Sequence, residues 1–231
     1  MYFNKDFSLP TGYRFLLKDV ISYIIDINKK AKKDMTLLDI GCGEQPYKSI
    51  LSNYKYLGMD NYAEIQAKPD VKGSITDIPL EDKTIDICLS VRVLDDVLEI
   101  DKAMSEISRV LKDNSYYYAI ENQSTHIHNP PYDYFRFAPN ALKEICKRYN
   151  LELVECKSFG GDFANIGFSL ILVNRVFWGM LRLDFIMRPI YSFLINIIFR
   201  PLDKFFRMKI FKGKFEINSL GYFYTFKKVV K

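Results

Sequence analysis

The run TLLDIGCGEQPYKSILSNYKYLGMDN, residues 36–61, decides the fold. Leu37, Leu38 and Ile40 make a short apolar run of the kind that fills a buried parallel strand. Gly41 and Gly43 follow at once, and two glycines in three residues let the backbone turn sharply and approach a ligand closely. Pro46 suits the first turn of a helix, where its missing N–H would have had no partner. Residues 54–59, YKYLGM, read as a second strand, and Asp60 stands at its end. Strand, glycine loop, helix, strand and acid make half of a nucleotide-binding unit, with the ligand over the carboxyl ends of the strands.

The loop's details choose between ligands. A dinucleotide site wants G-x-G-x-x-G with its pyrophosphate on a helix N-terminus. Here Gly41-Cys42-Gly43-Glu44-Gln45-Pro46 lacks the third glycine, and Glu44 puts negative charge where a pyrophosphate would lie. A ligand with a cationic amino-acid end suits Asp39 and Glu44 better. Asp60 is then free to accept from two ribose hydroxyls, since an ionised carboxylate is acceptor-only. D-I-G-C-G followed by Gly58-Met59-Asp60 resembles motif I and the second-strand acid of class I S-adenosylmethionine (SAM) methyltransferases. That resemblance implies a SAM site at Asp39, Gly41, Cys42, Gly43, Glu44, Asp60 and Asn61. An ordinary tight strand-to-helix turn is the plain alternative.

Working outward, residues 11–33 read as an amphipathic helix ending in Lys29, Lys30, Lys32 and Lys33, cations that favour a helix C-terminus. Beyond Asp60, residues 71–75 read as a short third strand, 85–91 as a fourth, 100–111 as a helix with apolar residues at helical spacing, and 115–120 as a fifth strand. Residues 139–149 read as a helix opened by Pro139, 151–156 as a sixth strand and 217–226 as a seventh, antiparallel one rich in aromatics. Alternation of this kind means a parallel sheet with helices on both faces. The expectation is one α/β domain, Rossmann-like, whose seven-stranded, mostly parallel sheet runs 3-2-1-4-5-7-6.

Residues 73–111 extend the resemblance, from the adenine-binding loop to the helix before strand five. It implies further cofactor contacts from Ser74, Ile75 and Ser90. Three positions depart from the family's pattern: Ser74 stands for the usual Asp, Asp95-Asp96 for the usual Glu-His, and Asp113-Asn114 for the usual Gly-Gly turn. A SAM-binding protein without activity is therefore an alternative.

Residues 121–137, ENQSTHIHNPPYDYFRF, follow strand five and belong over the crevice. They hold both histidines of the chain, His126 and His128, candidates to accept a proton near neutral pH. Glu121, Asp133, Tyr134 and Arg136 are candidate acceptor-binding residues, with Asp133 and Arg136 placed to brace the loop. Ordinary surface histidines and a purely structural brace are the plain alternatives. The run PYDYFRFAP, residues 131–139, is similar to a stretch of a bacterial and archaeal subgroup of these enzymes associated with surface-polysaccharide and glycan biosynthesis.

The four cysteines are scattered, without C-x-x-C or zinc spacing, and read as reduced, with no metal required. The first ten residues lack an apolar core, so no cleavable signal peptide is expected and the compartment reads as cytoplasmic. The net charge of +5 is uneven: residues 170–215 carry nine Lys or Arg against two acids, a net of +7, and residues 216–231 add +2, leaving the first 169 residues at −4.

That basic stretch lies in an insertion, residues 162–214, where apolar runs are punctuated by Arg175, Arg182, Arg188, Arg200, Lys204, Arg207 and Lys209. Each uninterrupted run falls below the ~18 residues of a membrane span. The pattern fits a helical lid or a homodimer surface, or an interfacial element at the inner membrane surface. Nucleic acid is a lesser candidate, because the aromatics are not interleaved for stacking.

The functional expectation is SAM-dependent O-methylation of a small-molecule acceptor, a hydroxyl of a sugar or glycan precursor that carries phosphate or lipid. A lipid or quinone acceptor and a nicotinamide oxidoreductase are the other readings. The missing third glycine opposes the last.

Overall fold

The computed structural model describes residues 14–61, 68–125, 127, 130–206 and 219–230. The chain divides into a sheet unit, built from Ile21–Gln123, Ile127–Lys157 and Tyr222–Lys231, and a helical unit built chiefly from Ser158–Gly221.

The strands are β1 (Thr36–Ile40), β2 (Lys55–Asp60), β3 (Val71–Lys72), β4 (Ile85–Val91), β5 (Leu111–Asn122), β6 (Leu151–Phe159) and β7 (Gly221–Lys228). Their order is β3-β2-β1-β4-β5-β7-β6, the order read from the sequence. The pairs β1–β2, β2–β3, β1–β4 and β4–β5 are parallel. β1 and β4 are buried along nearly their whole length because both faces are covered. Leu38, Ile40, Met59, Cys88, Tyr117, Ala119, Tyr224 and Phe226 fill the centre.

Helix α1 (Arg14–Lys29) leads into the sheet, and Tyr23 bonds Thr225 of β7 at 2.8 Å. Helix α2 (Ile100–Val110) buries Ile100, Ala103, Met104, Ile107 and Val110, the spacing of one helical face. Helix α3 (Pro139–Arg148) starts on its proline and lies against α2, with Cys146 Sγ 3.4 Å from Met104 Sδ. All four cysteines are free thiols.

Three local expectations change. No α-helix forms after the glycine loop: residues 46–53 are consecutive turns. Leu51 N bonds Tyr47 O, but Lys48, Ile50 and Tyr54 each reach only three residues back. Ser49, Ser52 and Asn53 offer the backbone competing partners, which disfavours a regular helix. β3 shrinks to two residues because Ser74 already turns, its hydroxyl accepting from Thr76 N at 3.2 Å. β5 begins at Leu111, directly after α2, with Asn114 at φ 63° where the left-handed turn was expected.

The helical unit departs furthest. Helices α4 (Asp162–Met180) and α5 (Asp184–Phe206), 19 and 23 residues long, continue through Arg175, Arg188, Arg200 and Lys204. A short turn with Arg182 at φ 56° joins them into an antiparallel hairpin. Gly167 lets the helices close up, since a Cβ there would lie 3.0 Å from Phe199 Cβ. Asp203 near the end of α5 accepts from Gly161 N at 2.9 Å and Ala164 N at 3.0 Å, capping the start of α4. Either helix is long and apolar enough to cross a membrane. The expectation that no such segment exists therefore fails: arginine tolerates a helix interior well, so it interrupts the apolar runs without ending the helix.

Candidate functional site

The topological switch point lies between β1 and β4, where the chain turns from building one half of the sheet to building the other. Register brings Asp39 beside Gly58 on one side and Leu89 on the other, and sets Ile40 against Met59 and Ser90. The glycine loop therefore leaves β1 directly over the end of β2.

Gly41 N and Cys42 N both donate to Met59 O, at 2.8 and 3.1 Å. Gly41 is at φ 67°, and a Cβ there would sit 2.6 Å from Val93 Cγ2, so only glycine fits. Gly43 is at φ 49°, and the space a Cβ would enter is open. Gly43 N donates to Asp60 Oδ2 at 2.9 Å, tying the loop to the second-strand acid. Asp60 and Asp39 are both buried. Asp39 accepts from Tyr56 Oη at 2.6 Å. Burial pushes the Asp39 carboxyl up to about 7; the Tyr56 bond pulls against this and the Asp60 charge adds to it. Burial likewise raises the Cys42 thiol to about 12, helped by the charges of Asp39, Asp60 and Asp70. The loop thus carries a buried negative focus with an open face at Gly43. A cationic ligand end relieves that focus and a pyrophosphate aggravates it.

The other cofactor candidates are placed unevenly. Glu44 and Asn61 are exposed beside the loop and at the end of β2. Ser74 pairs with Thr76 at 2.9 Å in its own turn, and Ile75 is buried in the core. Ser90 is fully buried and its hydroxyl is shared with Tyr117 Oη at 2.8 Å, so it serves the sheet interior.

At the end of β5 and just past β4 stands an acidic group. Glu121 is buried and accepts from Leu94 N at 3.4 Å, at the start of a 3₁₀ turn, Leu94–Asp96. Burial, and then the Asp95 charge, raise the Glu121 carboxyl well above the usual range. Asp95 O accepts from Tyr134 N at 2.8 Å and Phe135 N at 3.1 Å, docking the loop that follows the cis Pro130–Pro131 bond. Asp133 and Arg136 form the expected two-pronged pair, and Arg136 also donates to Phe135 O at 2.7 Å. Tyr134 is partly exposed, with its ring 6.3 Å from Phe135. His126 and His128 lie outside the described residues.

Four contributors escaped the sequence reading. Tyr56 holds Asp39, Val93 backs Gly41, Asp70 Oδ2 accepts from Gly58 N at 2.9 Å, and Arg92 lies beside Tyr47. Tyr56-x-Gly58-x-Asp60 alternates along one strand face, a signal that was legible. Arg92, at φ 57° immediately after β4, was marked only by its position.

With this geometry in place, the comparisons are informative. Residues 38–119, about a third of the chain, match the methyltransferase domain family. An uncharacterised protein of Methanocaldococcus jannaschii is 26% identical over 230 residues, covering 92% of this chain and 85% of its own. Among solved structures, the [4+2]-cyclase SpnF superposes with a TM-score of 0.60 at 15% identity, covering 100% of this chain and 86% of that one. A phosphoethanolamine N-methyltransferase of Haemonchus contortus, in complex with SAM, does so with a TM-score of 0.56 at 14% identity, covering 92% and 53%. Residues 38–119 therefore resemble a methyltransferase domain, and the sheet order is that of the Rossmann-like methyltransferase fold, which together support a class I methyltransferase. The cofactor of that domain is SAM.

Proposed function

We propose that the chain transfers a methyl group from SAM to a hydroxyl of a small-molecule acceptor, a sugar or glycan precursor. The observation that carries the SAM part is the cradle at Asp39, Gly41, Gly43 and Asp60. It fits the cofactor on two counts: its donor set suits a cation and vicinal hydroxyls, and the space at Gly43 is open. When bound, SAM supplies an electrophilic methyl group. The protein's part is alignment: Asp60 holds hydroxyls, the glycine loop admits the ligand, and the loop docked on Asp95 shapes the acceptor side. Glu121, buried and accepting from Leu94 N, braces the turn beside the site. The base that takes the acceptor proton is His126 or His128.

The acceptor class rests on the PYDYFRFAP stretch, with Tyr134 and Arg136 as its contacts. The +7 charge of residues 170–215 suits an acceptor that carries phosphate. A second reading has one observation behind it: a cyclase shares this fold, so fold alone does not establish methyl transfer. Calorimetry with SAM and with NADH, then radiolabelled methyl transfer to nucleotide-linked and lipid-linked sugars, separates the readings. SAM binding with label in a sugar product supports the proposal. SAM binding without turnover on any acceptor reduces the chain to a SAM-binding partner. NADH binding alone removes the cofactor assignment.

A further inference from the structure

The helical unit exposes an apolar surface unlike anything in the sheet unit. On α4, positions 166, 169, 170, 173, 176, 177 and 180 are exposed, the spacing of one continuous helix face. All are apolar except Ser169. On α5, Ile190, Phe193, Leu194, Ile197 and Ile198 are exposed with no polar residue among them. The opposite faces hold the hairpin together, through Gly167 against Phe199 and the stacked rings of Phe163 and Phe206, 4.7 Å apart. A core helix of a soluble protein would match these helices in length and hydropathy but would be mostly buried. Here only 22% of the apolar window of α4 and 11% of that of α5 are buried.

Several polar side chains of the hairpin bond its own backbone, although Ser192 Oγ is buried without a partner among the described residues. Ser169 donates to Asn165 O at 3.0 Å, Asn174 to Leu170 O at 2.9 Å and Asn196 to Ser192 O at 2.5 Å. At the tip, Asp184 pairs with Arg188 and accepts from Tyr191 Oη at 2.8 Å, and Arg175 lies close enough to feel the same carboxylate. Groups that face water need no such arrangement, whereas groups facing hydrocarbon do. At 1.5 Å per residue the two helices reach roughly 28 and 34 Å, against a hydrocarbon layer of about 30 Å. Charge is uneven in the sequence: residues 200–214 carry six Lys or Arg against Asp203, while residues 182–188 carry two against Asp184. Such a basic stretch of sequence suits anionic headgroups.

We infer that the α4–α5 hairpin inserts into the hydrocarbon of a lipid bilayer. This goes beyond salt-dependent adsorption, because the exposed faces are apolar rather than basic. It does not depend on methyl transfer, so calorimetry with SAM can fail while this inference stands, and the reverse.

The test uses the full chain and its single tryptophan, Trp178 on α4. Vesicles of phosphatidylcholine, with and without phosphatidylglycerol, should shift Trp178 emission to the blue, and brominated acyl chains should quench it. Flotation should survive high salt and alkaline carbonate. Changing Val173, Phe177, Phe193 and Ile197 together to Asp should cut vesicle binding at least tenfold while SAM affinity and helical circular dichroism hold. The Trp178 readout on the unaltered chain decides the matter even if that variant misfolds. Unchanged Trp178 emission, release by salt alone, or a soluble dimer that covers these faces with a second copy would each overturn the inference.

Discussion

In the sheet unit Leu38, Cys88, Met104, Tyr117 and Phe226 are sealed from solvent; in the helical unit Val173, Phe177, Phe193 and Ile197 each keep more than half their surface exposed. The residue types are similar and the hydropathy rules are the same. Fully burying one such side chain stabilises a fold by about 1.5–3 kcal/mol, and the sheet unit gains this dozens of times over. The hairpin forgoes it on its outward faces. Its two helices are held by their shared seam and by Asp203, not by a core around them. A chain that treats apolar residues in two ways is built for two surroundings, and each perturbation below probes one of them without the other.

The largest expected effect is at the cradle. Gly41→Val places a β-branched residue at φ 67° with its Cβ 2.6 Å from Val93. Left-handed strain and overpacking together cost about 2–5 kcal/mol. SAM binding should vanish in calorimetry and the sheet unit should melt earlier, while vesicle binding by the hairpin persists. Loss of vesicle binding in the same variant would break the separation of the units.

Next comes Asp39. Its carboxyl titrates near 7 when folded against an ordinary value of 3.8, so the folded state binds the proton more tightly than the unfolded state. Stability from this group is therefore full below about pH 4, falls as the pH rises, and levels off above about pH 7, a loss on the order of 4 kcal/mol. Asp39→Asn should match the wild type at pH 4 and unfold at a higher temperature at pH 8, without SAM. An equal gain at both pH values would mean that Asp39 is not the group that titrates.

Asp60→Ala acts on affinity more than on stability. It removes the acceptor of Gly43 N and the partner expected for two ligand hydroxyls. Leaving such groups unpaired costs about 1–3 kcal/mol, or roughly five- to 150-fold in SAM affinity. Unaltered SAM affinity in this variant would move the cofactor site away from the end of β2.

Much of the sheet unit was legible because its signals are local and repeated. β1 and β4 announce themselves as short apolar runs, and the glycines and Asp60 fix what lies between β1 and β2. The turns at 46–53 were not legible, since Pro46 reads as a helix start whether or not the helix follows. The resemblance placed Ser90 at the cofactor; its bond to Tyr117 was not legible, because Tyr117 comes from a strand whose register the sequence does not state. The insertion was read as helical, but the length of its two helices was not legible for a different reason. Counting uninterrupted apolar residues treats arginine as a stop, whereas a long aliphatic stem lets Arg188 and Arg200 sit within a helix and carry their charge to its ends.

The smallest expected effect is the sharpest probe of how separate the two units are. Asp203 is buried on α5 and accepts from two N–H groups at the start of α4. Those donors have no carbonyl above them, because a helix leaves its first N–H groups without partners. Asp203→Ala removes the cap and the favourable charge at the α4 N-terminus together, which costs about 1 kcal/mol. That is roughly a fivefold change in an opening equilibrium. Amide exchange in α4 and α5 should therefore quicken by about that factor, while amides of β1, β4 and β5 keep their rates. Equal acceleration in both units would show that hairpin and sheet open as one cooperative body. Acceleration that disappears when vesicles are added would show that lipid, rather than the cap, holds the hairpin closed in its own surroundings.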